Sequence, residues 1–158
     1  MAASSKTPTG DALTDLVLSL FRVNNLMLAW GDRLVAPLGL TSARWQILGA
    51  IVFADRPQPV AWLARDLGAN RQNVQRIVND LATEGLIVFE PNPHHRRAQL
   101  VILTDKGRRT YDAALALYDP RANALAKGLS VADLATAHHV MVTLRANLES
   151  HDDDQARA

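Results

Sequence analysis

Apolar residues recur at helical spacing along most of the chain and give way to short β-rich runs in one place only. The first apolar stretch predicts a long helix from about Asp11 to Ala36, which Pro37 and Gly39 end. Thr41 is a good N-cap for a second helix, and the prolines at positions 57 and 59 form a turn that cannot remain helical. The N-terminal third is therefore predicted to be helical.

Two further helices follow, separated by a tight turn. The first spans Val60 to Leu67, and Gly68 stands where a left-handed residue would close it. Asn70 is a suitable N-cap for the second helix. The predicted buried side of that second helix consists of apolar residues three and four positions apart, namely Val74, Ile77, Val78 and Leu81.

Gly85 ends this helix, and two β-rich runs come next. Leu86 to Glu90 and Gln99 to Leu103 flank Pro91 to Ala98, a loop longer than a minimal hairpin turn. Helix, turn, helix, strand, loop, strand is the order of a winged helix-turn-helix, with the loop as its wing. The predicted fold class is mainly α with a small β component (α+β), in which helices flank a winged module on both sides.

The polar side of the second helix carries residue types that suit DNA. Asn and Gln pair with adenine and Arg pairs with guanine, while two adjacent arginines in the wing are able to reach phosphates or a narrow minor groove. A solvated surface is the alternative interpretation. The candidate DNA-contacting residues from this pattern are Asn70, Arg71, Gln72, Asn73, Gln75, Arg76, Asn79, Arg96 and Arg97.

The overall charge is nearly balanced, which at first argues against a nucleic-acid partner. The 158 residues contain 17 Lys and Arg against 16 Asp and Glu, giving a formal net charge of +1. The distribution matters more, because Asp152, Asp153 and Asp154 place negative charge in the tail, away from the arginines. The predicted binding face is therefore more basic than the chain as a whole.

Composition excludes several other classes of function. Cysteine is absent, which removes disulfides, thiolate metal ligands and thiol-based redox sensing. No stretch approaches about 18 consecutive uncharged apolar residues, and residues 1–10 have no apolar core of a secretory signal, so a cytoplasmic protein without a membrane partner is expected. Phosphate-binding loops, nucleophile elbows and His-Glu-x-x-His are also missing, so neither an enzyme nor a cofactor is expected.

The run from Leu40 to Gly107 resembles the MarR family of bacterial transcriptional regulators. The resemblance rests on ordered, correctly spaced motifs over about two-fifths of the chain. They are Leu40-Thr41 with Trp45, Leu63-Ala64 to Leu67-Gly68, Asn70-Arg71 with Val74, Arg76, Val78 and Leu81, Glu84-Gly85-Leu86-Ile87, Asn92-Pro93-His94-His95-Arg96-Arg97-Ala98, and Leu103-Thr104 with Gly107.

The resemblance implies a homodimer that binds a pseudo-palindromic operator in double-stranded DNA and usually represses until a small ligand or a chemical signal releases it. The ligands of relatives are often small aromatic or lipophilic molecules, so an effector of this kind is a possible partner. Residues 11–39 and 105–150 would then form a helical dimerisation layer around the winged module of residues 40–104. Residues 1–10 would be a disordered lead and 151–158 an acidic tail. In the second part of this layer, Ser130 and Asp133 form a capping-box pattern before the last helix.

The chain departs from the family pattern in two places. His95 stands where the family's wing usually has an acid that holds the second arginine, so either His95 contacts phosphate itself or Arg96 takes over from Arg97. Pro120 falls inside the helix expected after the wing, which predicts a kink or break near residues 118–121.

The resemblance also implies a place for an effector, because in relatives the ligand often lies between the dimer layer and the winged module.

Two other functions are possible alternatives. His94-His95 and His138-His139 suggest a metal-responsive regulator, but adjacent histidines on a helix point about 100° apart and no metal site is predicted. A winged helix used as a protein-interaction module is the other alternative.

For the effector pocket that the resemblance implies, the candidate ligand-binding residues are Trp30, Arg33, Arg44, Trp45 and Tyr111.

Overall fold

The computed structural model describes residues 6–157, with side chains up to residue 151. Helix α1 spans Pro8–Val35, because Thr7 accepts a hydrogen bond from the Gly10 amide at 3.1 Å and a proline occupies the first turn. The helix therefore begins three residues earlier than predicted and takes in residues 8–10 of the expected disordered lead. Residues 1–5 of that lead lie outside the described part of the chain.

A close contact joins α1 to the next helix, α2 (Ser42–Phe53). The Ser42 hydroxyl donates to the Leu28 carbonyl at 2.7 Å, and the Ser42 amide donates to the Asp32 carboxylate at 2.6 Å. A Cβ on Gly31 would lie 2.3 Å from the Ser42 oxygen, so only glycine permits this approach. The predicted N-cap of α2 is confirmed, since Thr41 accepts from the Arg44 amide.

The winged module consists of two more helices and a small sheet. Helices α3 (Val60–Asp66) and α4 (Arg71–Thr83) agree with the prediction, and the strands β2 (Ile87–Glu90) and β3 (Leu100–Leu103) each begin one residue later than expected. A short strand β1 (Gln58–Pro59) was not predicted.

The sheet is antiparallel throughout, with the strand order β1-β3-β2. Ile87 lies opposite Leu103 in the pair of strands that carries the wing, and Gln58 lies opposite Val101 on the other side of β3. Pro59 is tolerated because β1 is an edge strand, where a missing amide donor is acceptable. The prolines that predicted a turn therefore also permit an edge strand.

One hydrophobic core holds these elements together. Its buried side chains come from the end of α1, from α2, α3 and α4, from the sheet and from the helix that follows the sheet, and the apolar side of α4 faces this core while its polar side faces solvent. The largest of them are Leu48, Leu63, Leu81, Ile87, Val35, Val74, Val78 and Val101. The predicted buried side of α4 is confirmed in full.

The chain divides into two units, residues 1–118 and 119–158, and two long helices occupy the C-terminal part. Helix α5 spans Asp105–Leu125 and continues through Pro120, so of the predicted kink or break the break is not observed. Helix α6 spans Val131–Arg157 and extends into the region expected to be an acidic tail. The predicted cap is present, because the Ser130 hydroxyl oxygen accepts from the Asp133 amide at 3.0 Å.

Helix α1 exposes an unusual amount of apolar surface. Among the described residues, Pro8–Leu38 is a helical stretch long and apolar enough to cross a membrane by length and composition alone. This is weak evidence for a membrane span, because helices of soluble proteins pass the same test. The exposed apolar side chains of α1 are Leu13, Leu16, Leu18, Phe21, Val23, Leu26, Met27 and Leu28.

Tyr111 of α5 gives the fold a testable dependence on alkaline pH. Its ring is 4 % exposed, and burial raises the pKa of the phenol above its ordinary value of 10.0, with Arg108 opposing and Asp112 adding to the shift. Since the unfolded chain loses this proton first, the stability contributed by the neutral phenol is intact below about pH 10 and falls as pH rises toward the folded pKa.

We therefore expect the free energy of unfolding of the wild type to decline more steeply than that of Tyr111→Phe as the pH rises above about 10. Urea titrations over this rise in pH compare the two proteins. Parallel pH profiles would show that the Tyr111 phenol titrates alike in the folded and unfolded chains.

Candidate nucleic-acid interface

The turn between α3 and α4 is fixed by backbone and side-chain hydrogen bonds. The Gly68 amide donates to the Arg65 carbonyl at 3.0 Å and the Ala69 amide donates to the Ala64 carbonyl at 2.8 Å, with Gly68 at a φ of 60°. The Asn70 side-chain oxygen then accepts from the amides of Gln72 and Asn73. Asn70 is thus confirmed as the N-cap, and its oxygen is already occupied at the start of α4.

The polar side of α4 is open to solvent. Gln75 is half-buried, and the other candidate side chains of this helix are exposed. Two contacts order this surface, since Gln75 donates to Asn79 at 2.9 Å and Arg76 donates to Asn73 at 3.1 Å. Donors and acceptors of the kind that pair with base edges therefore line one exposed face.

The wing is a structured loop rather than a loose excursion. The Asn92 side chain accepts from the His94 amide at 3.0 Å, and the Ala98 amide donates to the His95 carbonyl at 3.0 Å. Arg96 and Arg97 are both exposed, and neither has an ion pair or hydrogen bond with another described residue. The guanidinium groups of the wing are free to bind an anion.

A cleft of about 170 Å³ lies between the wing and α4. Arg71, Gln75 and Asn79 line it from the helix, and Arg97 lines it from the wing. A second, larger cavity beside it includes His95 together with Arg71 and Arg97. The structure therefore brings five of the sequence-predicted residues to a shared pair of clefts.

The other predicted residues lie on the same surface but outside these clefts. The five that remain are exposed without lining either cavity, namely Asn70, Gln72, Asn73, Arg76 and Arg96. Arg76 lies 3.7 Å from the Asp80 carboxylate, a solvent-exposed pair that contributes little to stability. Arg76 can exchange this partner for DNA at little cost.

The base of the wing is anchored by a dense hydrogen-bonded junction. The Thr104 hydroxyl donates to the Gly85 carbonyl at 2.8 Å and accepts from the Gly107 amide at 3.0 Å, while the Thr104 amide donates to the Leu86 carbonyl at 3.1 Å. Lys106 donates to the Glu84 carbonyl at 2.7 Å. These bonds tie the end of α4, the start of β2 and the start of α5 together, which fixes the wing relative to α4.

Comparison with known proteins agrees with this architecture. A sequence model of the MarR family matches residues 38–98, from just before α2 through the wing. A MarR-family transcriptional regulator from Rhodococcus sp. RHA1 shares the fold, with a TM-score of 0.74 at 21% identity over 89% of this chain and 96% of that chain. The chain belongs to the MarR family. It is accordingly a MarR-family transcriptional regulator with a winged helix fold, and the resemblance seen in its sequence is confirmed.

The chain is also similar in sequence to two bacterial proteins. An uncharacterized Mycobacterium tuberculosis protein is 42% identical over 103 residues, which are 65% of this chain and 71% of that protein. The transcriptional activatory protein BadR of Rhodopseudomonas palustris is 28% identical over 150 residues, covering 89% of this chain and 82% of BadR.

Two similar structures were determined with bound partners. The Mycobacterium tuberculosis regulator MosR, solved in complex with DNA, has a TM-score of 0.72 at 20% identity over 85% of this chain and 96% of that chain. CouR from Rhodococcus jostii RHA1, solved with p-coumaroyl-CoA, has a TM-score of 0.67 at 24% identity over 86% of this chain and 90% of that chain. At these identities the likeness shows the fold alone.

The three aromatic residues among the ligand-binding candidates lie in two places in the structure. Tyr118 joins Trp30 and Trp45, with ring centroids 6.1 Å and 5.4 Å away respectively and edge-to-face geometry. Tyr111 is buried and packs beside Gly49 and Phe53. Sequence reasoning did not include Tyr118 among the ligand candidates, although it follows Tyr111 by seven residues on the same helix face.

The two arginines among these candidates behave differently. Arg44 forms an ion pair with Glu84 and donates to the Gly39 carbonyl at 2.9 Å. Its guanidinium group therefore already has partners within the fold. Arg33 is exposed near the end of α1. For the metal alternative, the described residues contain no group of three or more His, Cys, Asp or Glu side chains arranged to hold an ion.

Proposed function

We propose that this MarR-family regulator is a homodimeric, ligand-responsive repressor that binds a pseudo-palindromic operator through α4 and the wing. The observation that carries the proposal is the shared cleft, in which Arg71, Gln75 and Asn79 of α4 face Arg97 of the wing. Helix N-terminal halves enter the major groove, and wings reach the adjacent backbone or minor groove. The proposed DNA-contacting residues are the ten predicted from the sequence, namely Asn70, Arg71, Gln72, Asn73, Gln75, Arg76, Asn79, His95, Arg96 and Arg97.

Dimerisation is supported by the apolar surface of the terminal helices. In α1, Phe21 is 63% exposed and Leu26 is 70% exposed, and α6 exposes Val131 at 85%. Surfaces of this kind on a soluble protein mark association sites, and a C2 dimer matches a palindromic operator. Residues 11–39 and 105–150 are the proposed dimerisation layer, and light scattering should give twice the chain mass of 17.3 kDa.

A small aromatic or lipophilic effector is proposed to bind beside the aromatic cluster of Trp30, Trp45 and Tyr118. Edge-to-face rings offer apolar surface for stacking, and CouR was crystallised with an aromatic acyl-CoA. Arg33 remains the candidate for an anionic group on the effector. BadR is an activatory protein, so a promoter-reporter assay should decide between repression and activation.

The proposed regulator is cytoplasmic and has no enzymatic activity. A protein-interaction module is the rival, but such a module would expose apolar or acidic residues on the first two turns of α4. Exposed arginine, glutamine and asparagine occupy those turns instead. Charge and hydrogen-bonding capacity at this surface favour DNA over an apolar protein partner.

The experiment that tests the proposal is fluorescence anisotropy with DNA from upstream of the protein's own gene, excess competitor DNA and a salt series. Saturable binding of one dimer per site that survives the competitor supports the proposal. If binding is no tighter than to random DNA, a random-sequence selection follows, because the operator can lie elsewhere. Failure to enrich any sequence would favour the protein-interaction module.

Arg76 offers a separate test of base reading. We expect Arg76→Ala to weaken specific binding by roughly 1 to 3 kcal/mol if the guanidinium pairs with a guanine. If Arg76 contacts only phosphate, affinity should fall evenly across sequences. Binding isotherms on the selected operator and on a scrambled duplex of equal length distinguish these results, and unchanged affinity on both would remove Arg76 from the interface.

A further inference from the structure

The larger of the two clefts extends beyond α4 toward the loop that precedes β1. It measures about 810 Å³ and lies between that loop, α3 and the wing. Its floor is apolar, with Pro59, Trp62 and Leu100 among its residues, and its basic groups are Arg56, Arg71 and Arg97. No carboxylate lines the cleft among the described residues.

Trp62 organises the basic end of this cleft. It is 40% exposed, unlike the buried residues of α3. The Arg56 guanidinium carbon lies 5.4 Å from the Trp62 ring centroid and that of Arg65 lies 5.7 Å away. Both distances fall within the range of cation–π attraction. An exposed tryptophan that contacts two arginines is poorly explained by core packing alone.

The two arginines differ in what else they contact. Arg65 lies 3.4 Å from the carboxylate of Asp66, which partly neutralises it. Arg56 has no ion pair or hydrogen bond with any described residue. Arg56 therefore offers an uncompensated positive charge, held by an aromatic face, at the edge of a cleft shared with Arg71 and Arg97.

We propose that Arg56 contacts a DNA phosphate and that Trp62 is a positioning residue that holds the Arg56 guanidinium toward the DNA. This inference rests on the proposed function. A sugar–phosphate strand fits the chemistry of the cleft, because apolar deoxyribose faces can lie on the apolar floor while phosphate oxygens meet the guanidinium groups. The DNA interface then extends from α4 past the wing to the loop before β1.

The test uses the full chain and four variants, Arg56→Ala, Trp62→Leu, the double variant and Arg65→Ala as the matched control. Anisotropy is measured on the selected operator duplex and on a scrambled duplex over a salt series. Arg56→Ala should weaken binding to both duplexes by about tenfold. The slope of log affinity against log salt should become shallower by about 0.9 for each phosphate that the variant no longer neutralises.

The role assigned to Trp62 has its own signature. Trp62→Leu should weaken binding and reduce the salt slope in the wild-type background but change neither in the Arg56→Ala background. Arg65→Ala should have a smaller effect than Arg56→Ala. Thermal melting separates positioning from folding, since a structural role would lower the melting temperature and would weaken binding by the same factor in both backgrounds.

Two kinds of failure can be told apart. If the wild type binds its operator but Arg56→Ala leaves both affinity and salt slope unchanged, the inference about Arg56 is wrong and the proposed function stands. An equal effect of Trp62→Leu in both backgrounds would overturn the positioning role. If the wild type binds no DNA, both the proposed function and this inference are wrong.

Discussion

The double variant Arg71→Ala/Arg97→Ala is expected to bind the operator about 30-fold or more weakly than the wild type. The reason is that it removes two proposed contacts worth at least about 1 kcal/mol each. Arg71 begins α4 and Arg97 lies in the wing, yet both line the same cleft. Neither guanidinium has an ion pair among the described residues. Their replacement therefore removes two proposed DNA contacts without disturbing an ion pair of the fold.

The two single variants show how the arginines cooperate. Because both border one cleft, their effects need not add, and the double-mutant cycle measures the coupling. Arg97→Lys separates charge from shape, since lysine keeps the positive charge but loses the planar, bidentate guanidinium. If Arg97 contacts a phosphate, we expect Arg97→Lys to retain much of the affinity that Arg97→Ala loses. If Arg97 is inserted in a narrow minor groove, we expect Arg97→Lys to retain little of it.

Anisotropy on the selected operator is the measurement, with melting curves to confirm that the variants remain folded. Arg121→Ala is the matched control, because it removes an exposed arginine of α5 that lines neither cleft. Its affinity should equal that of the wild type. A double variant that bound as tightly as this control would contradict the assignment of the cleft to DNA.

Local sequence signals account for the helices and the wing because each is specified by neighbouring residues. Asn70 caps α4, and Gly68 and Gly85 adopt the positive φ values of 60° and 73° that close α3 and follow α4. The apolar spacing of α4 likewise identifies its buried side. These features depend on contacts within a few residues, which a single sequence reports directly.

The features that sequence analysis missed depend on long-range contacts. Strand β1 exists because residues 58 and 59 pair with β3 more than forty positions later, while the nearby prolines indicate only a turn. The stacking of Arg56 on Trp62 requires the loop before β1 to fold over α3. Similarly, Arg44 is a plausible pocket residue until the fold places Glu84 beside it.

Pro120 shows the limit of a local rule. Proline removes one amide donor from a helix and disfavours the helical conformation of the residue before it, which is why the sequence predicts a kink or break. The structure has helix on both sides of Pro120, and α5 ends only at Leu125. A long helix can retain its other backbone hydrogen bonds around one missing donor, which local propensity does not weigh.

Gly107→Ala is expected to destabilise the fold by about 3 kcal/mol. A Cβ at this position would lie 2.0 Å from the Leu86 carbonyl oxygen and 2.8 Å from a methyl carbon of Leu103. That carbonyl already accepts a hydrogen bond from the Thr104 amide at 3.1 Å, and the Thr104 hydroxyl, whose one proton is shared with the Gly85 carbonyl, also lies 3.1 Å from it. The backbone cannot retreat from the new methyl group without breaking the junction that holds the wing.

Thermal unfolding at a fixed protein concentration measures this effect, because association would otherwise make the midpoint depend on concentration. A loss of about 3 kcal/mol corresponds to a decrease of roughly 6 to 12 °C in the melting temperature of a chain of this size. Gly10→Ala is the matched control, since its Cβ would meet only Thr7 at 3.4 Å and Lys6 at 3.8 Å.

The control should be neutral or slightly stabilising, because alanine is a better helix former than glycine by about 1 kcal/mol. Gly107→Ala should also lose operator affinity at temperatures where it remains folded, since the junction of Thr104, Gly107 and Leu86 sets the position of the wing relative to α4. If Gly107→Ala melted at the same temperature as the wild type, α5 would be able to move away from β2. The junction would then hold the wing less rigidly than its hydrogen bonds indicate.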